Sequence, residues 1–296
     1  MQFGVALPQF GPRAADPEVR LHLRDVAMAA ERLGYGVVWT AEHVAMPYTI
    51  RTPYPYGGRF PFAPTDPILD VGATLAYVAA CTTRIRLGSA VIVLPYHQPV
   101  PLAKALATVD VLSNGRLLLG VASGWLREEF ELLGVPFRER GARTDEAIAL
   151  IRALWTDAHV TFRGRFFALD DAAVFPKPVQ CPHPPIWIGG DSEAALRRVV
   201  RCGDGWLAVP RDLPHLTDRV SRLRQAAESA GRDPAHIGIA SGGGARSVSE
   251  LLDLIPRLER LGVTIVNVPA LFWTQSVQDA LELMEEFSRR AGLRAD

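Results

Sequence analysis

The sequence predicts a (β/α)8 barrel, and three observations carry that expectation. Eight short runs rich in Val, Ile and Leu alternate with longer amphipathic stretches from one end of the 296 residues to the other, the pattern of repeated βαβ units. Most of these runs are apolar on both faces, as a parallel sheet covered by helices demands. The first run is followed by GPRAADP and not by a Gly-x-Gly-x-x-Gly turn, so the dinucleotide fingerprint of an open doubly wound sheet is missing. The length would accommodate two average domains, but single barrels commonly run to about 250 residues. The expected organisation is one barrel over residues 1–296.

The strand candidates, in order, are Phe3 to Leu7, Gly36 to Ala41, Leu87 to Leu94, Leu117 to Ala122, Pro185 to Ile188, Gly205 to Val209, Ile237 to Ala240 and Val263 to Val268. Between the first two, Asp16-Pro17 offers an N-cap with proline at the first helical position, and Gly34 closes the helix. Near the other end, Ser247 to Gly262 and Ser276 to Arg290 each begin on a serine cap and carry basic residues in the last turn, which complements the helix dipole. Two stretches break the alternation. Met46 to Asp66 is too rich in Pro, Tyr, Gly and Arg for a crossover helix and reads as a long loop after the second strand. His159 to Pro184 contains VTFRGRFFAL, a hairpin pattern about an Arg-Gly turn, ahead of a proline-rich lead into the fifth strand.

Composition narrows the functional classes. With 32 basic against 32 acidic residues the chain carries no net charge, which removes the broad positive field that nucleic acid or an anionic membrane surface requires. Cys81, Cys181 and Cys202 are odd in number and far apart, without Cys-x-x-Cys or Cys/His spacing, so neither a disulfide framework nor a zinc site is expected. MQFGVALPQFGPR lacks the plan of a secretory signal, and no later run reaches about 18 uninterrupted apolar residues. The expectation is a cytoplasmic protein whose partner is a small molecule.

In a barrel the chemistry sits at the C-terminal ends of the strands. There the second strand ends in VVWTAEH, placing Glu42 and His43 together at the mouth beside the long loop; His43 can move a proton near neutral pH, or both can simply bond to neighbouring loops. The fourth ends in GVASGW, where Ser123 and Gly124 let backbone approach a flat ligand. The fifth ends in Gly189-Gly190-Asp191-Ser192 and enters AALRRVV, a phosphate cradle or an ordinary capped helix. Ser241 to Arg246, with three consecutive glycines, competes as a cradle after the seventh strand. Arg127, Glu128 and Glu129 head an amphipathic helix and read as a solvated face. The run Tyr48, Arg51, Tyr54, Tyr56, Arg59, Phe60, Phe62 can line a pocket, bind an acidic group, or pack the loop onto the barrel.

The segments AEHVAMP, RIRLGSAVIVLPYHQPVPLAKALATVDVLSNGRLLLGVASGWLREEFELLGVPFRERGARTDEAI and PKPVQCPHPPIWIGGDSEAALRR resemble the luciferase-like monooxygenase superfamily over nearly the whole chain. Within it, Gly-Trp-Leu-Arg-Glu-Glu-Phe and the Arg- and aromatic-rich loop look most like oxidoreductases that use the deazaflavin coenzyme F420. The resemblance implies a deazaflavin lying in the mouth, its phosphate at Gly189, Gly190 and Ser192, and its ring supported by a bulge whose non-prolyl cis peptide falls at Ala90-Val91. It implies that Glu42 and His43 act as an acid–histidine pair, with His43 as proton donor or acceptor, and that the protein is a homodimer. Related sugar-phosphate dehydrogenases carry a catalytic glutamate after the glycine of the fourth strand; here that place is Trp125, which argues against glucose 6-phosphate and fits hydride transfer to or from an activated double bond or imine. The alternatives are an FMN-dependent monooxygenase using O2 and a barrel that binds cofactor without catalysis.

Overall fold

In the computed structural model, which describes residues 1–55 and 58–294, parallel strands close into an eight-membered ring. They are β1 (Gln2–Ala6), β2 (Val37–Thr40), β3 (Arg86–Ser89) with its continuation β4 (Ile92–Val93), β5 (Leu117–Ala122), and, after a hairpin of β6 (Val160–Arg163) and β7 (Ala168–Ala172), β8 (Ile186–Gly189), β9 (Gly205–Leu207), β10 (Gly238–Ser241) and β11 (Ile265–Val268). β1 closes the ring, pairing through Gln2 with Ile265 of β11 and through Gly4 with Val37 of β2. Both the hairpin and the long irregular loop stand where the sequence places them. Tyr56, part of the aromatic run, lies outside the described residues.

Among the described residues eight helices cover the ring: α1 (Val19–Arg32), α2 (Val71–Cys81), α3 (Pro99–Leu112), α5 (Arg140–Thr156), α6 (Glu193–Cys202), α7 (Leu213–Ser229), α8 (Val248–Arg260) and α10 (Val277–Ala291). Two short helices are additional: α4 (Arg127–Leu132) before α5, and α9 (Ala270–Trp273) before α10. Serine caps open α8 and α10 as expected, the latter with a full capping box between Ser276 and Asp279. α1 starts later than its punctuation suggests. Gly11–Ala15 forms a 3-10 turn, and the Asp16 carboxylate is used at 2.7 Å by the Glu18 N–H, so the helix begins at Val19.

The core has two compartments. Outward strand residues such as Leu87, Leu119 and Val121 pack on the helices, while Val37, Trp39, Leu118, Trp187, Leu207, Ala240 and Ile265 fill the barrel itself. Two indoles occupy that interior because neighbouring strands present no side chain there: a Cβ on Gly88 would run into the Trp39 ring, and one on Gly205 into the Trp187 ring.

The third strand departs from the single apolar run and carries the bulge and cis peptide that the family resemblance implies. Instead of one run from Leu87 to Leu94, it stops at Ser89, passes through a cis peptide at Ala90-Val91, and resumes at Ile92. The break is stitched from below. Ser89 Oγ donates to the Gly120 carbonyl at 2.8 Å and accepts the Gly120 N–H at 2.9 Å, and the Ala90 N–H reaches Thr40 O at 2.6 Å. The polar groups that a ladder would have satisfied thus find other partners, as buried backbone must.

Candidate active site

Glu42 and His43 follow β2 at the barrel mouth, but they do not act as one pair. Glu42 turns toward the interrupted strand: one carboxylate oxygen accepts the Val93 N–H at 2.7 Å, and the other lies 2.9 Å from Nε2 of His97. His43 turns the other way, with Nδ1 at 2.6 Å from Glu129 Oε2. The mouth therefore holds two acid–histidine pairs, Glu42 with His97 and Glu129 with His43. Adjacent residues in an extended segment point to opposite sides, which separates the pair that the sequence places side by side.

Glu128 and Glu129 do not form a solvated face. Glu129 is fully buried and Glu128 is 5% exposed. α4 is only six residues long and leaves the mouth directly after Gly124, so its first turn faces inward beneath the long loop, and α5 makes the crossover over the barrel. Besides His43, Glu129 accepts from the Val44 and Ala45 N–H groups at 2.6 and 3.1 Å and from the Tyr96 hydroxyl at 3.1 Å. Glu128 accepts from the Arg51 and Thr52 N–H groups at 2.9 and 3.0 Å and from Thr52 Oγ1 at 2.7 Å. Burial works to raise the Glu128 pKa, but the Thr52 hydroxyl and the surrounding backbone N–H groups outweigh it and hold the carboxyl below its ordinary range. Two consecutive carboxylates thus anchor the start of the loop. The only trace of this in the sequence is their position one turn beyond Gly124; how deep that turn would sit is a tertiary fact.

The long loop folds its aromatic residues over His43. Phe60 and Trp125 contact the imidazole edge-on at centroid distances of 5.1 and 6.2 Å, and Tyr54 packs against both at 5.6 and 5.3 Å. Phe62 continues the cluster against Phe60 and Phe10. Arg51 points out toward Glu128 and Glu131, and Tyr48 is 84% exposed. Part of the run therefore packs the loop onto the mouth while the rest faces solvent. Trp125 stands among these rings and makes the surroundings of His43 aromatic.

The cradle residues follow β8, and the bulge between β3 and β4 links that strand end to the one carrying Gly124. A Cβ on Gly189 would lie 2.8 Å from a Val91 methyl, and one on Gly124 would lie 2.7 Å from a Val93 methyl, so the cis bulge touches both glycine-bearing strand ends. Ala90 and Ser123 are the immediate neighbours of these contacts in the chain. Gly190 has a φ of +107°, a conformation that only glycine adopts without strain, and this turns the chain into α6. Ser192 caps that helix, its hydroxyl accepting the Ala195 N–H at 3.2 Å. Burial raises the Asp191 pKa, opposed by the Val209 N–H and by the charges of His215, Arg219 and Arg211, which line this side of the turn. Ser241 to Arg246 is a packed turn instead. Ser241 Oγ accepts the Gly243 N–H at 3.1 Å, and a Cβ on Gly244 would lie 2.9 Å from the Arg211 carbonyl oxygen. Among the described residues no His, Cys, Asp and Glu group is placed to hold a metal ion, and no helix is long and apolar enough to cross a membrane.

The Glu42–His97 pair has a pH signature. Burial works to lower the His97 pKa, but the hydrogen bond and charge of Glu42, with Asp70 behind them, raise it above the ordinary 6.5. A raised folded-state value means that the pair's contribution is fully present below the ordinary histidine value and is lost as pH rises through the raised one. In urea unfolding, the stability gap between wild type and His97→Gln is therefore expected to be widest below the ordinary histidine value of 6.5 and to narrow as pH rises above it. A gap independent of pH would show that the pair does not titrate in this way.

Comparison with known proteins agrees with this architecture. The model of a family described as luciferase-like monooxygenase matches residues 1–250. An uncharacterised protein of Mycobacterium tuberculosis is 36% identical over 248 residues, covering 82% of this chain and 83% of that protein. An F420-dependent glucose-6-phosphate dehydrogenase of Amycolatopsis mediterranei is 32% identical over 228 residues, which is 75% of this chain and 61% of that protein. The solved structure of a monooxygenase from Streptomyces bottropensis superposes with a TM-score of 0.80 at 23% identity, covering 98% of both chains.

Proposed function

The chain belongs to the luciferase-like monooxygenase family and is an oxidoreductase, and on that premise we propose that it binds coenzyme F420 in the barrel mouth and exchanges hydride with a small organic substrate. The observation that carries the reading is the mouth's division of labour: a glycine-lined turn at a helix N-terminus on one side, and a histidine held by a buried carboxylate on the other. The residues present fit the cofactor. Gly190 supplies the positive φ that the turn into α6 requires, free N–H groups and the helix dipole favour a phosphate there, and Arg211 and Arg219, the latter paired with Asp218 and Glu193, lie on the same side. Ala90 and Val91 would stand behind the ring, and Ser123 and Gly124 beside it. The F420-dependent dehydrogenase matches 75% of this chain at 32% identity, and an FMNH2-dependent dimethylsulfone monooxygenase of Pseudomonas putida matches 51% of it at 33%; the longer match is what supports the deazaflavin.

When bound, the deazaflavin supplies or receives the hydride. The protein's own work is to orient the substrate, exclude water and move one proton. Glu129 accepts from His43 Nδ1, which leaves Nε2 to exchange a proton with the substrate. Tyr54, Phe60 and Trp125 cover His43 and keep bulk water from it. With Trp125 where a second acid would stand, His43 is the proton-handling group of this side, which suits reduction of an activated double bond or imine, or the reverse oxidation: one hydride and one proton added across one bond.

Paired fluorescence titrations of apoprotein with F420 and with FMN test the reading. Micromolar or tighter binding of F420 alone is expected. Gly190→Ala should weaken it about tenfold or more, because an alanine at that φ costs on the order of 1–2 kcal/mol and pushes the turn away from the ligand. Selective FMN binding with oxygen consumption would instead move the assignment to monooxygenation.

A further inference from the structure

Opposite the active site, at the N-terminal end of the barrel, lies a second place with the makings of a ligand site. Arg86 opens β3 there. It shares a side of the strand with Gly88, whose vacant Cβ position abuts Trp39 inside the barrel, whereas Leu87 between them packs outward on the helices. The Arg86 guanidinium is thus directed into the lower end of the barrel, where a cavity of about 370 Å3, open to solvent, is lined by Arg86, Trp187, Gln2, Ile265 and Glu259 among others.

Its donors lack acceptors. Burial pulls the Arg86 guanidinium below its ordinary pKa, yet an arginine remains charged at neutral pH. Among the described residues its side chain has neither a hydrogen bond nor an ion pair, and Glu259, exposed on α8, lines the cavity without reaching it. Trp187 is 6% exposed, and its indole N–H likewise has no acceptor among the described residues, whereas those of Trp39, Trp155 and Trp206 bond to Asn267, Ala103 and Gly190. A half-desolvated cation without a counter-charge is a cost that an apolar side chain at this position would avoid. Ile265, Val263, Met1 and the Trp187 ring make an apolar part of the wall, beside the polar Gln2 and Thr264, and the volume is that of a small-molecule site.

We propose that the lower barrel mouth binds a small oxyanion, a carboxylate or phosphate, with the Arg86 guanidinium as its charge partner and the Trp187 indole N–H as a second donor. The planar fork of arginine matches two oxygens of either group. The site lies at the far end of the barrel from His43, so its occupancy alters the stability of the barrel and leaves the cofactor's own cradle in place.

Thermal unfolding of the full chain tests this, in a zwitterionic buffer free of oxyanions with ionic strength held by sodium chloride. Sodium phosphate and sodium benzoate are titrated separately. A saturable rise in Tm is expected with at least one of them in the wild type, and its loss is expected in Arg86→Met. Arg86→Met should also melt at or above the wild-type temperature when no oxyanion is present, because the uncompensated charge is gone. A response to phosphate alone assigns an inorganic anion, and one to benzoate a carboxylate on an apolar body. Trp187→Phe keeps a ring and removes the N–H, and should raise the midpoint concentration about fivefold, the weight of one hydrogen bond. The proposal is overturned by equal responses in wild type and Arg86→Met, which would place the anion elsewhere, such as the diglycine cradle. It is equally overturned by no saturable response, or by an Arg86→Met variant that melts below the wild type without oxyanion.

Discussion

Replacing His43 with alanine is expected to lower turnover by about 100-fold or more while the affinity for F420 stays nearly unchanged. His43 is the imidazole at the mouth whose second nitrogen is left free by its bond to Glu129, and loss of a positioned general acid–base group costs a factor of this size. Cofactor affinity should be spared because the cradle from Gly189 to Ser192 follows β8, which is not a neighbour of β2 in the ring, and is built mainly from backbone. The removed ring also leaves a gap under Phe60 and Trp125, so His43→Gln, which fills more of that space without an equivalent proton site, is the control. Single-turnover measurements with F420 and equilibrium titration of the cofactor separate the two quantities. Turnover within a few-fold of wild type in both variants would remove His43 from the reaction and favour a barrel that binds cofactor without using this residue.

Glu129→Gln should be nearly as damaging, for a different reason. Each of the four groups around this carboxylate offers it a hydrogen: Val44 N–H and Ala45 N–H on one oxygen, His43 Nδ1 and the Tyr96 hydroxyl on the other. An amide has one oxygen to accept and presents NH2 in place of the second. If the oxygen keeps the two backbone donors, the NH2 faces His43, whose Nδ1 must then accept, and the ring hydrogen moves to Nε2. The histidine presents the wrong tautomer to the substrate, and kcat falls by about 10- to 100-fold with cofactor affinity preserved. If the oxygen turns to His43 instead, the backbone donors lose their acceptor and the loop start loosens, at a cost of about 2 kcal/mol in unfolding free energy. Nitrogen chemical shifts of His43 distinguish the two arrangements, and urea unfolding reads the stability. A Glu129→Gln enzyme with wild-type kcat and unchanged His43 shifts would show that the carboxylate only fastens the loop.

The same two residues show where reading the sequence succeeds and where it stops. His43 is legible because charged and polar residues just beyond a buried strand stand out at a barrel mouth, and position along the chain is enough to place it there. Its partner was not visible. Glu42 is its covalent neighbour, yet extended backbone sends it to Val93 and His97, and the carboxylate that reaches His43 comes from 86 positions further on. His97 was missed for the same reason: in YHQP it is an ordinary polar residue in a connecting segment, and only the return of β4 beside β2 brings it to Glu42.

What the sequence determined by itself was whatever depends on local pattern: eight apolar runs and their order, the hairpin and the irregular loop, the serine caps of α8 and α10, and the glycines at strand ends where backbone must turn. Periodicity, capping and conformational freedom act over a few residues and leave their trace in the residues themselves. The tertiary structure alone decided the depth of α4, which turned Glu128 and Glu129 from an expected surface into buried anchors, and the pairing of each acid with its histidine. It also left Arg86 without a counter-charge among the described residues, although the chain as a whole is neutral. Burial and charge pairing are set by residues far apart in the chain, and closure of the barrel is the event that brings them within a few ångströms of one another.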